Sequence, residues 1–168
     1  MASSVSSCRS SRRPRRRAFT LIEILVVVVI LGVLAAIVIP QFVGVTGDVE
    51  RTSFISDVRI FVEAAGRFQI DTGAYLEDSS SGELPTGFEP YIQEEMWTRT
   101  TPIGGVWDAE LDSFGITSGL GVHFNGEGET RDDAYMTRID EIFDDGDLAT
   151  GAFRRIAGDR YYYIIEED

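Results

Sequence analysis

Arg15-Arg16-Arg17-Ala18-Phe19-Thr20-Leu21-Ile22-Glu23-Ile24-Leu25 opens an apolar run that continues to Pro40. Three arginines stand directly before the run, and a single carboxylate, Glu23, lies inside it. From Ile24 to Ile39 every residue is apolar or glycine, and counted from Phe19 the run holds 21 residues with one charge. At a rise of 1.5 Å per residue such a helix is about 30 Å long, the thickness of a bilayer's hydrocarbon core. A secretory signal has a shorter apolar region followed by a small-x-small cleavage site. Here Ala35-Ala36-Ile37-Val38-Ile39-Pro40 offers bulky residues instead. The reading is one membrane span, with the basic side retained in the cytoplasm and the rest outside.

Charge is divided as sharply as hydropathy. The chain of 168 residues has a formal charge of −13. Residues 1–18 nevertheless carry six arginines and no acid, and beyond Phe42 nine arginines face 27 acids, a balance of about −18. So acidic a body has nothing with which to neutralise phosphates, which argues against nucleic acid as a partner. The length suits one compact domain plus a membrane segment. Cys8, in the basic leader, is the single cysteine, so no disulfide staples the domain. There is no lysine, for which the sequence offers no physical reason.

Glu23 needs an explanation, because a carboxylate in hydrocarbon costs several kcal/mol unless paired or neutralised. The plain explanation is an interfacial acid reaching lipid headgroups. The functional one begins with a cut before Phe19, which would free an α-amino group one helical turn from Glu23. Among bundled copies, one chain's amine meets a neighbour's carboxylate and fixes axial register. Basic leader, small residue, Phe19-Thr20-Leu21-Ile22-Glu23 and a long apolar run together resemble the class III signal of type IV pilins and type II secretion pseudopilins. The resemblance implies cleavage between Ala18 and Phe19 by prepilin peptidase, N-methylation of Phe19, and Glu23 as the assembly carboxylate. The family usually has Gly before the cut, where this chain has Ala18. Arg16-Arg17-Ala18-Phe19 also has the look of a twin-arginine export signal, a reading in which Glu23 has no role.

Beyond the run, Pro40 removes a helical hydrogen bond and crowds the preceding turn, so a kink is expected near 36–40. Gly44 and Gly47 mark a second weak point. Phe54, Ile55, Val58, Phe61, Val62, Ala65 and Phe68 then recur at spacings of three and four, the pattern of a helix with one buried stripe. Gly73 ends it. One helix is therefore expected over roughly 19–70, all-round apolar at first and amphipathic afterwards. In the head, residues 77–88 read as a turn-rich loop and 88–97 as a short helix. Val106-Trp107 begins strand-like sequence, with segments 113–117 and 120–125 joined at Ser118-Gly119. Residues 132–143 read as a helix, and 160–165 as a final strand. The fold class is α+β and resembles a pilin: leader 1–18, membrane and assembly half 19–43, and head 44–168 including the amphipathic helix to about 72.

Asp140, Glu141, Asp144, Asp145 and Asp147 form the densest group of carboxylates. Hard oxygen donors around Gly146 suit Ca²⁺, although Phe143 falls where an EF-hand needs a ligand. Major pseudopilins of type II secretion carry calcium in the C-terminal part of the head, so the resemblance implies Asp140, Asp144, Asp145 and Asp147 as ligands. The same residues also read as a solvated helix end followed by an Asp-Gly turn. His123 is the single histidine, no serine sits in a nucleophile turn, and Glu94-Glu95 point apart on a short helix, so no catalytic residues are assigned. Tyr161-Tyr162-Tyr163 reads as strand packing, with a subunit contact as the alternative.

The expected function is a filament subunit, a pseudopilin of type II secretion, and not an enzyme. It is held in a bacterial inner membrane with its head outside the cytoplasm. Its expected partners are prepilin peptidase, copies of itself or related pseudopilins, the inner-membrane assembly machinery, and lipid before assembly. A type IV pilus or competence pilin, or a monomeric membrane-anchored binding module, would use the same residues.

Overall fold

The computed structural model describes residues 19–126, 128 and 130–167, with the side chains of 38–46 excepted. The leader 1–18, including Cys8 and Ala18, lies outside the described residues. Two compact units divide the chain, one ending at Val43 and the other comprising Gly44–Asp168.

Helix α1 spans Leu21–Thr72. It stops where the sequence says it must. Gly73 adopts φ +74°, and its N–H closes on the Gln69 carbonyl at 2.8 Å, a left-handed cap open to glycine at little cost. The helical assignment carries through Pro40, whose side chain is outside the described residues, as is the basis for the kink expected there.

In the second unit the apolar stripe of α1 is buried as its spacing predicts. Phe54, Val58 and Phe61 are fully enclosed, Ile55, Ala65 and Phe68 nearly so, and Val62 is half-buried against them. What they meet is mostly aromatic. Phe54 stacks on Trp107 at 5.2 Å between centroids, while Phe61 meets Trp107 edge-on at 4.8 Å and Trp97 at 5.1 Å. Trp97, on the short helix α2 (Glu94–Thr98), keeps its indole N–H satisfied by the Glu83 carbonyl at 2.9 Å. Helix α2 is shorter than the 88–97 expected. Pro90 disfavours helical geometry at Glu89, and single turns, Phe88 N–H to Pro85 and Tyr91 N–H to Phe88, take up that stretch.

Strands β1 (Val106–Ser113), β2 (Ile116–His123), β3 (Phe153–Ala157) and β4 (Arg160–Glu167) form one antiparallel sheet in the order β1-β2-β4-β3. Trp107, Ala109, Leu120, Val122 and Phe153 join the α1 stripe in one core. Two expectations change here. The hairpin turns at Phe114-Gly115, with Ser113 opposite Ile116, and not at Ser118-Gly119. Ser118 and Gly119 lie within β2, where a Cβ on Gly119 would stand 2.8 Å from the Ile116 side chain. Gly121 is needed for the same reason: a Cβ there would sit 2.1 Å from the Tyr161 carbonyl. Strand β3 was not foreseen, because Arg154-Arg155 interrupts its apolar alternation and only pairing with β4 makes it a strand. Helix α3 (Asp133–Phe143) matches expectation, its Asp132 cap accepting from the Tyr135 N–H at 2.9 Å.

Candidate functional site

The first unit presents one feature. Every described side chain from Phe19 to Ile37 is exposed, among them Phe19, Leu21, Ile24, Leu25, Val29 and Leu34. Soluble monomers do not leave a contiguous apolar surface of that extent bare. Among the described residues no helix is long and apolar enough to cross a membrane. The described side chains of the run stop at Ile37, whereas the span expected from sequence continues to Pro40.

Glu23 does not stand alone in that surface. Its Oε2 accepts from the Thr20 backbone N–H at 2.7 Å and from the Thr20 hydroxyl at 2.8 Å, and the Glu23 N–H donates to Thr20 Oγ1 at 3.3 Å. This is a reciprocal capping box, with Thr20 as N-cap and Glu23 three residues on. It satisfies two of the donors a helix start leaves open and gives the carboxylate partners within its own chain. Thr20 carried no role in the sequence reading, although the T-x-x-E spacing is itself the signal.

The second unit gathers carboxylates at the end of α3. Asp140, Asp144 and Asp145 each offer an oxygen within 4.8 Å of the others. Asp140 is fully buried, and neither of its carboxylate oxygens has a hydrogen-bond donor. Burial, and then the neighbouring Asp144 carboxylate, push its pKa up to about 7. Asp144 is drawn down in spite of its own desolvation, first through the Asp140 carboxyl beside it and then through the Ala152 N–H. Asp145 accepts from the Asp147 N–H at 2.8 Å and from the Thr150 hydroxyl at 3.1 Å. The structure places Asp147 elsewhere in the turn: its carboxylate accepts from the Ala149 N–H at 3.1 Å. A buried acid without donors beside two further carboxylates fits a hard divalent cation such as Ca²⁺, which would supply charge neutralisation and cross-link α3 to the following loop.

The far face of the sheet holds a polar network that the sequence reading missed. Asp108 and Glu110 are buried and share the Arg160 guanidinium, with Nη1 at 2.7 Å from Asp108. Tyr162 donates to Asp108, and Ser81 donates to it at 2.9 Å while lying 2.8 Å from His123 Nδ1. Burial raises the Glu110 pKa against the pull of Ser113 and Arg160. Acids at alternate positions 108 and 110 of a strand were the available signal. Ser81, His123 and Asp108 are not ordered as a nucleophilic triad, since Ser81 sits between the other two instead of at the far imidazole nitrogen. Tyr161 donates to Asp133, and Tyr163 packs edge-on to Phe143 at 5.4 Å, so the three tyrosines are engaged within the head.

With this geometry in view, the comparisons with known proteins converge. Residues 13–39 match the prokaryotic N-terminal methylation motif. Type II secretion system core protein G of Pectobacterium carotovorum subsp. carotovorum is 41% identical over 91 residues, covering 54% of this chain and 56% of that protein. The protein of the same name from Pseudomonas aeruginosa is 41% identical over 80 residues, covering 45% of this chain and 56% of the relative. That from Klebsiella michiganensis is 38% identical over 64 residues, covering 38% and 45%. The chain carries a prepilin-type N-terminus and is similar to type II secretion core protein G. It spans about half the length of the curated relatives it matches. No solved structure matches the chain.

Proposed function

We propose that this chain is a structural subunit of a pilus-like filament, a pseudopilin of a type II protein secretion system. The observation that carries the reading is the bare apolar helix start with its one internally satisfied carboxylate. In this account prepilin peptidase cuts between Ala18 and Phe19 and the new Phe19 amine is methylated. Lipid of the inner membrane covers residues 19–40 first, with the head outside the cytoplasm. The assembly machinery then moves the helix from lipid into a bundle of like helices, copies of this chain or related pseudopilins. Apolar surface is covered in both environments, so the exchange is inexpensive.

Glu23 does two jobs in turn. Before assembly the Thr20 N–H and hydroxyl hold its carboxylate, lowering the cost of carrying it into the membrane. In the filament the Phe19 amine of a neighbour becomes the stronger, charged partner and fixes register. Replacing Glu23 by Val should leave membrane insertion intact and abolish filaments sheared from cells. Filaments at wild-type yield from Glu23→Val would refute the pairing. The head is proposed to bind Ca²⁺ through Asp140, Asp144 and Asp145, with Asp147 shaping the turn. Titration calorimetry of the detergent-solubilised mature chain tests this, and no heat of binding at millimolar calcium would remove the site.

A further inference from the structure

The tip of the β1–β2 hairpin is built against backbone preference. Phe114 and Gly115 occupy the two turn positions with φ +53° and +78°, and Asp112, two residues before Phe114, has φ +50°. A two-residue turn of that hand favours Asn, Asp or Gly, and a bulky aromatic there is strained. The pairing of β2 with β4 is also irregular at this end, shifting register between Ile116 and Gly119. The Phe114 ring is half-exposed at 52%, with the Arg160 guanidinium 5.5 Å from its centroid. Asp112 is exposed and has no hydrogen bond or ion pair among the described residues. The tip thus offers an apolar ring beside an unpaired negative charge.

The head also has the complement. A groove of about 310 Å³ is lined by Val58, Arg59, Val62 and Glu63 of α1 with Phe143 and Tyr163, room enough for a phenyl ring. At its rim the exposed Arg59 lies over the Phe143 ring at 5.8 Å and makes no ion pair among the described residues. Knob and groove are different patches of one molecule, and such a heterologous contact repeated between identical chains builds an open helical array wherever its rotation does not close into a ring.

We propose that the Phe114 ring of one copy enters this groove on a second copy, with Asp112 pairing to the neighbour's Arg59. The proposal rests on the filament reading, because so small a contact suffices only where the N-terminal helices already hold copies together at high effective concentration. In the filament the strain at the hairpin is retained for the interface it presents.

The test uses the full chain in cells that assemble it, with Cys8→Ser as background. Phe114→Asn removes the ring while relieving the left-handed backbone, and Phe114→Tyr keeps the ring. Expected are roughly a tenfold or greater loss of sheared filaments for Phe114→Asn, near-wild-type yield for Phe114→Tyr, and a melting temperature of Phe114→Asn no lower than wild type. With Ser113→Cys and Glu63→Cys in one chain, a short bismaleimide should give a ladder of covalent oligomers, whereas each single cysteine gives none. Wild-type filament yield from Phe114→Asn with no ladder overturns the contact and leaves the subunit reading standing. A lower melting temperature for Phe114→Asn, or cross-linked dimers from Ser113→Cys alone, also overturns it. No filaments from the wild-type chain overturns both.

Discussion

The two ends of α1 are made of similar residues and live in opposite surroundings. Leu21, Leu25 and Val29 are exposed, whereas Phe54, Val58 and Phe61, on the same helix, are sealed under Trp97 and Trp107. The difference lies in the pattern. An apolar residue at every position has no polar side to turn to water, so a head cannot satisfy it and the cover must come from lipid or other helices. An apolar stripe three or four residues apart can be closed by one sheet of the same chain. The comparison teaches that one helix has two faces to cover: the head closes the second, and in the proposed filament neighbouring helices close the first.

The contrast breaks most plainly by truncation. Phe61→Ala should cost the head about 3–5 kcal/mol, read by urea unfolding of the detergent-solubilised chain, because a ring packed on two tryptophans leaves a cavity. The matching change Leu25→Ala should leave head unfolding within about 0.5 kcal/mol and act only on assembly. Equal effects from the two would dissolve the distinction between the cores.

Next in size is Asp140. Held near pH 7 when an unfolded chain's Asp titrates near 3.9, its carboxyl keeps a proton in the folded head that the unfolded chain has released. Its contribution is therefore present below about pH 4 and is lost as pH rises through about 7. The metal-free head should melt progressively lower from pH 4 to pH 7.5. Saturating calcium should raise the melting temperature and flatten that slope, and Asp140→Asn should abolish both behaviours. A metal-free melting curve that rises across this range would contradict the assignment. Smaller still, Asp132→Ala should cost about 1 kcal/mol through loss of the α3 cap. The exposed Glu63–Arg67 pair should contribute about 0.3–0.5 kcal/mol by double-mutant cycle.

Periodicity makes α1, its buried stripe and α3 legible in the sequence, because helices declare themselves by spacing within one segment. The sheet was less legible. Its turn at Phe114-Gly115 carries a residue that such turns disfavour, while Ser118-Gly119 looks like a turn and is instead a place where backbones crowd. Strand β3 exists only through β4, a partner its own residues do not name. At the N-terminus, Phe19 and Glu23 could be singled out by type and position. The part played by Thr20 was legible too, in the T-x-x-E spacing of a capping box, but went unread beside the apolar run. In the acidic turn, sequence could collect carboxylates but not tell the buried Asp140 from Asp147, which caps a backbone N–H.

The central claim is that the bare end of α1 is a processed assembly helix. Mass spectrometry of the mature protein's N-terminus, recovered from membranes, tests it most directly. The account predicts a chain that begins at Phe19 bearing one methyl group on its amine. An intact 1–18 segment, or a terminus beyond Ala36, would contradict it.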